Sequence, residues 1–305
     1  MKTYKRGQMD FSFTWLLAII VGAVILFLAI YTSVKLISVG ETEQDAKMGK
    51  EVGIILSPLE TSVEDVRKSV ISFPVDTRVT LGCATAGFFG EQEISISQKS
   101  FNKWTNTNIN TYLENKYIFA NQVVEGRTAT VLVMPFFFPF KVADLTYLIS
   151  TNEEYCFSDA PESIKEKLST LHLENILVEN CSKEAIDVCF NKASCEIEVD
   201  ERQQTVTKNK KTISYSGESL MFGAIFSDNE LYNCQVQRLM KKISILAGIY
   251  KDKASFISTQ GCNTDFNADL SQLISVGNNS GQLVILQSTM EEMKKKNENA
   301  ICKLW

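Results

Sequence analysis

The chain has 305 residues, 45% of them hydrophobic and 22% charged, with a net charge of −5, eight cysteines and a single histidine. One histidine rules out any multi-histidine metal site. The acidic balance lacks the basic face that nucleic acid requires, so no nucleic-acid partner is expected.

Residues 11–34 form one uncharged apolar run. As a helix it would reach about 36 Å, enough to cross a bilayer core of about 30 Å with some tilt. Trp15 and Tyr31 stand near its ends, where aromatic rings suit the membrane–water interfaces. The run is too long, and Phe27-Leu28-Ala29-Ile30-Tyr31 too bulky, for a cleaved secretory signal peptide. A retained anchor is expected, with the lipid bilayer as its partner. Lys2, Lys5 and Arg6 precede the run, and Glu41, Glu43 and Asp45 follow it. Positive flanks stay in the cytoplasm, so residues 1–10 are read as cytoplasmic, 11–34 as the transmembrane helix, and the remainder as extracytoplasmic.

Cysteine placement points the same way. Cys83, Cys156, Cys181, Cys189, Cys195, Cys234, Cys262 and Cys302 all lie after the run. An even number on the exported side fits up to four disulfides in an oxidising compartment. Cys189 and Cys195 are close enough in sequence to close a small hairpin, and Cys302 is placed to staple the tail to the body. Zinc ligation would call for C-x-x-C pairs or histidine partners, which are absent. Asn180-Cys181-Ser182 and Asn278-Asn279-Ser280 read as glycan acceptor patterns.

Lys5-Arg6-Gly7-Gln8, directly before the apolar run, resembles the processing site of archaeal type IV pilin-like proteins, which carry a class III signal. The resemblance covers about the first 35 residues. It implies cleavage between Gly7 and Gln8 by a prepilin peptidase, with the apolar segment kept on the mature chain. Met9, Asp10, Phe11 and Ser12 depart from the serine and glutamate that often follow the glutamine in that family. The whole chain also resembles a group of archaeal single-pass membrane proteins without an assigned activity, through Lys5 to Tyr31, Phe136 to Tyr147 and Cys302-Lys303-Leu304-Trp305. That likeness implies a location and no reaction.

Beyond residue 40 the chain keeps 27 of its basic and 35 of its acidic groups, a net charge of −8. Residues 35–72 are expected to form a helical stalk: Met48, Val52 and Ile55, then Leu59, Val63, Val66 and Val70, recur at helical spacing, with Pro58 as a break. From 73 onward the pattern turns to strands, beginning with Val75 to Cys83. Glu93 to Ser97 alternates as a half-buried strand should, and Tyr117 to Phe119 and Thr128 to Met134 read alike. Asn106 to Asn110 reads as a loop. The run Pro135-Phe136-Phe137-Phe138-Pro139-Phe140 reads either as an aromatic plug in the core or as a partner-facing patch, its prolines arguing against a central strand. Residues 155–200 suggest a βαβ-like unit with Asp159 and Glu162 capping its helix, and a solvated antiparallel strand over Cys195 to Val199. Thr205 to Thr207 and Ile213 to Tyr215 continue as a meander around an exposed turn, Lys208-Asn209-Lys210. The C-terminal third reads as helical. Ser227 and Glu230 form a capping box. Tyr232, Val236, Leu239, Ile243, Leu246 and Tyr250 line a narrow seam, and a last helix falls near 283–296. Residues 73–305 are therefore expected to be one extracytoplasmic domain, α+β or α/β mixed, with a mixed sheet.

Candidate chemistry is sparse. His172 lies between Leu171 and Leu173 at a helix end, the setting of a structural histidine. Gly82 to Gly87 reads as a flexible turn. Neither a phosphate-binding nor a dinucleotide-binding glycine motif is present, so no cofactor is expected. No residue stands out as catalytic, cofactor-binding or metal-binding. The expected role is that of a membrane-anchored surface protein with a disulfide-stabilised domain for binding or assembly, possible partners being other surface or membrane protein subunits. The alternatives are a tethered hydrolase of cell-surface polymers using two paired acids, and an accessory subunit of a membrane complex that makes contact through the 232–250 seam or through the anchor, where Gly22 and Ala23 permit close helix approach.

Overall fold

The computed structural model describes residues 15–33, 35, 66–100, 102–105, 110–178, 180–262, 264–276 and 283–305. The chain divides into two compact units, Met1–Gln44 and Asp45–Trp305. In the first, Trp15–Ser33 form helix α1, exposed throughout and long and apolar enough to cross a membrane. Gly7, Gln8, residues 36–65 of the expected stalk and residues 106–109 of the expected loop lie outside the described residues.

The second unit is built on two sheets. Its first strand, β1 (Arg67–Ala84), corrects two expectations: 67–72 belong to a strand instead of a helical stalk, and Gly82 to Ala84 end that strand instead of forming a flexible turn. Val66 and Val70 have helical spacing, but Arg67 to Ser72 meet Val133 to Thr128 on another strand, and that distant pairing overrides the local pattern. The register breaks between Ser72 and Thr77, where Pro74 has no amide hydrogen to offer the ladder.

The following strands are β2 (Glu91–Ser100), β3 (Lys103–Trp104), β4 (Thr111–Glu114), β5 (Tyr117–Phe119), β6 (Val123–Phe137) and β7 (Lys141–Ser150). They order as β3-β2-β1-β6-β7-β5, with β4 paired to β2. Consecutive segments β4 and β5 therefore pair with opposite sides of the sheet, β4 with β2 and β5 with β7. The stretch from Thr111 to Phe119 thus curls the sheet on itself. Ile71, Val79, Leu81, Ile94, Ile96, Ile118, Val131 and Leu148 pack inside the curl.

The aromatic run after Met134 is a core plug. Phe136, Phe138 and Phe140 are buried, while Phe137 stays 43% exposed. Contrary to expectation, β6 runs through Pro135. Its last residue paired with β1 is Val133, opposite Arg67, and beyond that point no strand pairs on that side of β6 among the described residues. The Pro135 carbonyl accepts from Ser219 Oγ at 2.8 Å. The nitrogen of the same residue faces that side too, where the missing hydrogen costs no ladder bond to any described strand.

The second sheet comprises β8 (Tyr155–Ser158), β9 (Ile176–Leu177), β10 (Ile186–Phe190), β11 (Ile197–Asp200), β12 (Thr205–Lys208) and β13 (Lys211–Ser214), ordered β13-β12-β11-β10-β8-β9. Helix α2 (Glu162–Leu171) links β8 to β9. Pro161 is its N-cap without a side-chain bond, and Asp159, at φ 54°, lies in a turn instead of the expected capping box. Strand β11 runs parallel to β10 and antiparallel to β12, so Cys189 and Cys195 bridge a tight parallel return and not a hairpin. Asn209 and Lys210, both at positive φ, make the two-residue turn between β12 and β13.

Helix α3 (Gly217–Phe226) packs against both sheets. Residues 220–226 are all buried. It has no polar face and hence no periodic stripe, which is why amphipathic spacing does not reveal it. Gly223 lets it approach β5, since a Cβ there would lie 2.8 Å from Phe119. Ser227 ends this helix, its hydroxyl donating to Gly223 O, and does not form a capping box; Asp228 is the N-cap of α4.

Helix α4 (Asn229–Thr259) buries Tyr232, Val236, Leu239 and Ile243, so the seam serves the domain's own core. A polar knot flanks that seam. Arg238, 0% exposed, donates to Phe89 O (3.0 Å), Gly90 O (3.2 Å), Lys116 O (2.8 Å) and Gln235 Oε1 (2.7 Å), and its guanidinium stands 4.7 Å from the centre of the Tyr117 ring. Gln235 donates to Gln92 Oε1 and Ile118 O. Gly90 has φ 62°, and a Cβ there would meet the Ala84 carbonyl and Arg238.

Helices α5 (Asn267–Val276) and α6 (Leu283–Asn299) complete the fold. The tail is tied down by Asn297, whose amide donates to Trp305 O (2.7 Å) and accepts from Leu304 N (2.6 Å). Trp305 packs against Phe140, Tyr250 and Phe266.

All eight cysteines are paired: Cys83–Cys234, Cys156–Cys181, Cys189–Cys195 and Cys262–Cys302. Their sequence separations are 151, 25, 6 and 40. By chain entropy the longest loop contributes about 5 kcal/mol and the shortest about 2 kcal/mol. In denaturant melts, the double variant Cys83→Ala/Cys234→Ala is expected to lose clearly more stability than Cys189→Ala/Cys195→Ala. Arg238→Leu is expected to cost at least about 3 kcal/mol by leaving three carbonyls without a donor, whereas the exposed neighbour variant Gln237→Ala stays within about 0.5 kcal/mol of the parent.

Candidate functional site

A cleft opens where β1, β2, the β12–β13 turn and the first turns of α4 meet. It encloses about 560 Å³. Gly82 and Cys83 come from β1, Glu93 from β2, Gln122 from the turn after β5, Lys208, Asn209 and Lys211 from the β12–β13 hairpin, and Asp228 to Leu231 and Cys234 from α4. The Cys83–Cys234 disulfide is part of its wall and joins two of these elements covalently.

Sequence position explains the gathering. Asp228 follows the Ser227 that ends α3, so it starts α4 at the mouth. Its carboxylate accepts from the Gln122 amide at 2.6 Å, and its own amide donates to Ala120 O at 3.2 Å. Lys208 lies at the end of β12, beside the C-terminus of α3. Its ammonium donates to Ile225 O (3.2 Å) and to Ser227 O, supplying donors to carbonyls that no longer have helical partners. This corrects the reading of Lys208-Asn209-Lys210 as an exposed turn throughout. Asn209 and Lys210 are exposed, but Lys208 turns inward.

Burial pushes the Lys208 ammonium down to about 8, against the opposing pull of Asp228 and Glu153. Burial also raises the Glu153 carboxyl; hydrogen bonds from Asn121 and Tyr155 work against that shift, the charge of Asp228 adds to it, and Lys208 opposes it. Asn121 Nδ2 lies 3.2 Å from Glu153 Oε1. Lys208, Asp228, Glu153, Asn121 and Tyr155 thus form one coupled polar group. The cleft presents carboxylates from Glu93, Asp228 and Glu230 and amines from Lys208 and Lys211, a mixture suited to a polar or zwitterionic group. Glu93 accepts from Asn110 Nδ2.

Of the candidate site residues, the cleft brings together Cys83 and Cys234; Gly82, Glu93, Lys208, Asn209 and Glu230, read from sequence only as parts of turns, strands or caps, join them there. Cys156, Cys181, Cys189, Cys195, Cys262 and Cys302 lie elsewhere in the domain, and Gly7 and Gln8 are outside the described residues. His172 is exposed at the end of α2, φ 44°; its backbone amide donates to Ser169 O at 3.2 Å and its backbone carbonyl accepts from Lys68 at 3.1 Å. The inward positions of Lys208, Asp228 and Glu153 were not legible in the sequence, because nothing local marks a lysine in a hairpin as buried. The one usable signal was Asp228-Asn229-Glu230 at a helix start.

No protein-family model, curated protein or solved structure matches this chain. Its chemistry therefore rests on the geometry above.

Lys208 gives a pH test. Its folded pKa, about 8, lies below its unfolded value near 10.5. Between those values the unfolded chain holds the proton more tightly, so this group's contribution to stability rises from about pH 8 towards 10.5. Glu153 has the opposite sign, its contribution being present at acid pH and lost as pH climbs through its raised folded value. The stability of the parent minus that of Lys208→Met, followed by denaturant melts across pH 7–10.5, is expected to increase with pH above about 8.

Proposed function

We propose that the protein is a membrane-anchored extracytoplasmic surface protein whose disulfide-bonded domain binds, or assembles with, other surface or membrane protein subunits. One observation carries this reading: every cysteine of the domain is paired, and the domain follows an apolar helix exposed along its length. Four disulfides persist in an oxidising compartment and not in a reducing cytosol. Lys2, Lys5 and Arg6 before the helix favour a cytoplasmic N-terminus and an exported body.

The specific version is a pilin-like subunit, cut between Gly7 and Gln8 and held by the apolar segment that follows. Its support is the Lys5-Arg6-Gly7-Gln8 context. Binding is preferred over hydrolysis because two of the three carboxylates of the cleft are already engaged, Asp228 with the Gln122 amide and Glu93 with Asn110.

Native membranes test the reading. The protein is expected to stay in the pellet through carbonate extraction. Under denaturing, non-reducing conditions it is expected to take up no alkylating reagent, and to take up eight equivalents after reduction. Release by carbonate, or labelling without reduction, overturns the reading. A mature mass beginning at Gln8 supports the pilin-like version; a chain still beginning at Met1 removes it.

A further inference from the structure

Between β9 and β10 the chain leaves the sheet, and residues 180–184 are all exposed. Asn180 opens this stretch at φ 55°, a turn conformation that suits asparagine. Two residues on stands Ser182, completing the pattern Asn-x-Ser. The sequence holds one other such pattern, beginning at Asn278, which lies outside the described residues.

We infer that Asn180 is a site of N-linked glycosylation, an inference that rests on the domain being exported. The donor is a sugar carried on a lipid phosphate. The Asn180 Nδ2 attacks the anomeric carbon, an N–C bond forms, and the C–O bond to the phosphate breaks. The phosphate leaves with the bonding electrons, and the amide proton passes to a base of the transferase. The geometry fits the product: Asn180 is exposed, and the neighbouring positions 181–184 are exposed with it, so a bulky sugar projects into solvent without displacing core.

The same geometry sets an order of events. In the folded domain the acceptor stretch is pinned twice on its C-terminal side. Cys181 is bonded to Cys156, a buried residue of β8. Ser182 Oγ donates to Glu154 Oε2 at 2.8 Å. The hydroxyl that completes the pattern is therefore engaged once the fold closes, so transfer precedes formation of the Cys156–Cys181 bond. Releasing Cys181 lengthens the time during which the acceptor is open.

The test is mass spectrometry of the Asn180-containing peptide from full-length protein purified from membranes of the native host, with thiol alkylation measured on the same sample. The expected result is a sugar mass on Asn180 in the parent, none in Asn180→Gln, a loss of at least tenfold in Ser182→Ala, and retention in Ser182→Thr. Occupancy in Cys156→Ser/Cys181→Ser is expected to equal or exceed that of the parent. An unmodified Asn180 peptide in protein whose cysteines are all paired overturns the inference while leaving export intact. An unmodified peptide together with free cysteines overturns the exported reading on which it rests. A modified parent whose occupancy falls in Cys156→Ser/Cys181→Ser overturns the proposed order.

Discussion

A guanidinium bound by carbonyl oxygens holds the larger sheet to its helix. Arg238 enters from α4 and satisfies Phe89, Gly90 and Lys116, three backbone groups in the turns on either side of the β2–β4 pair. A buried cation is tolerable only when it is hydrogen-bonded, and here each of the three guanidinium nitrogens has an acceptor. Gln235, one turn earlier, carries the bonding on to Gln92 and Ile118. Lys241, one turn later, reaches Thr85 O, and Lys242 reaches Asn115 Oδ1 at 2.6 Å. The turn at Gly90 must pass so close to Arg238 that it has no room for a side chain. Cys234 lies one turn before Arg238 and bonds to Cys83, so the same surface is locked covalently as well. The cleft inherits its shape from this arrangement, because α4, β1 and β2 are three of its walls.

Covalent and non-covalent support are divided between the two sheets. The larger sheet has long strands, 18 residues in β1 and 15 in β6, and a curled apolar interior. The smaller sheet has strands of two to five residues. Short strands offer few ladder bonds, and two of the four disulfides, Cys156–Cys181 and Cys189–Cys195, lie there. Cys262–Cys302 secures the tail in the same way. A domain stapled like this suits an oxidising compartment, in keeping with the anchored surface role proposed for it.

Legibility along the chain followed the range of the interactions involved. Alternation at Glu93 to Ser97 and the helical seam of Tyr232 to Ile243 report which side faces the core, and both elements lie where the pattern places them. Helix α3 left no trace because it is covered on all sides. Val66 and Val70 suggested a helix, yet the pairing of Arg67 with Val133 made them part of a strand region. The parallel direction of β11 was equally hidden, since its alternating residues would look the same in either orientation. In the cleft, the two half-cystines were visible as cysteines, but Lys208 and Glu153 were ordinary surface residue types until the end of α3 and its neighbours came to rest against them.

Sequence alone determined the apolar segment, the charge asymmetry around it, the even set of cysteines and the mixed α+β character of the domain. These are sums or short-range periodicities, and hydration and helix or strand geometry act on them locally. Tertiary structure decided the disulfide partners, the curl of the larger sheet, the strand directions in the smaller one and the burial of Arg238 and Lys208. Each of these depends on groups far apart in the chain meeting at hydrogen-bonding distance, and no local pattern encodes which distant carbonyl or thiol will be there.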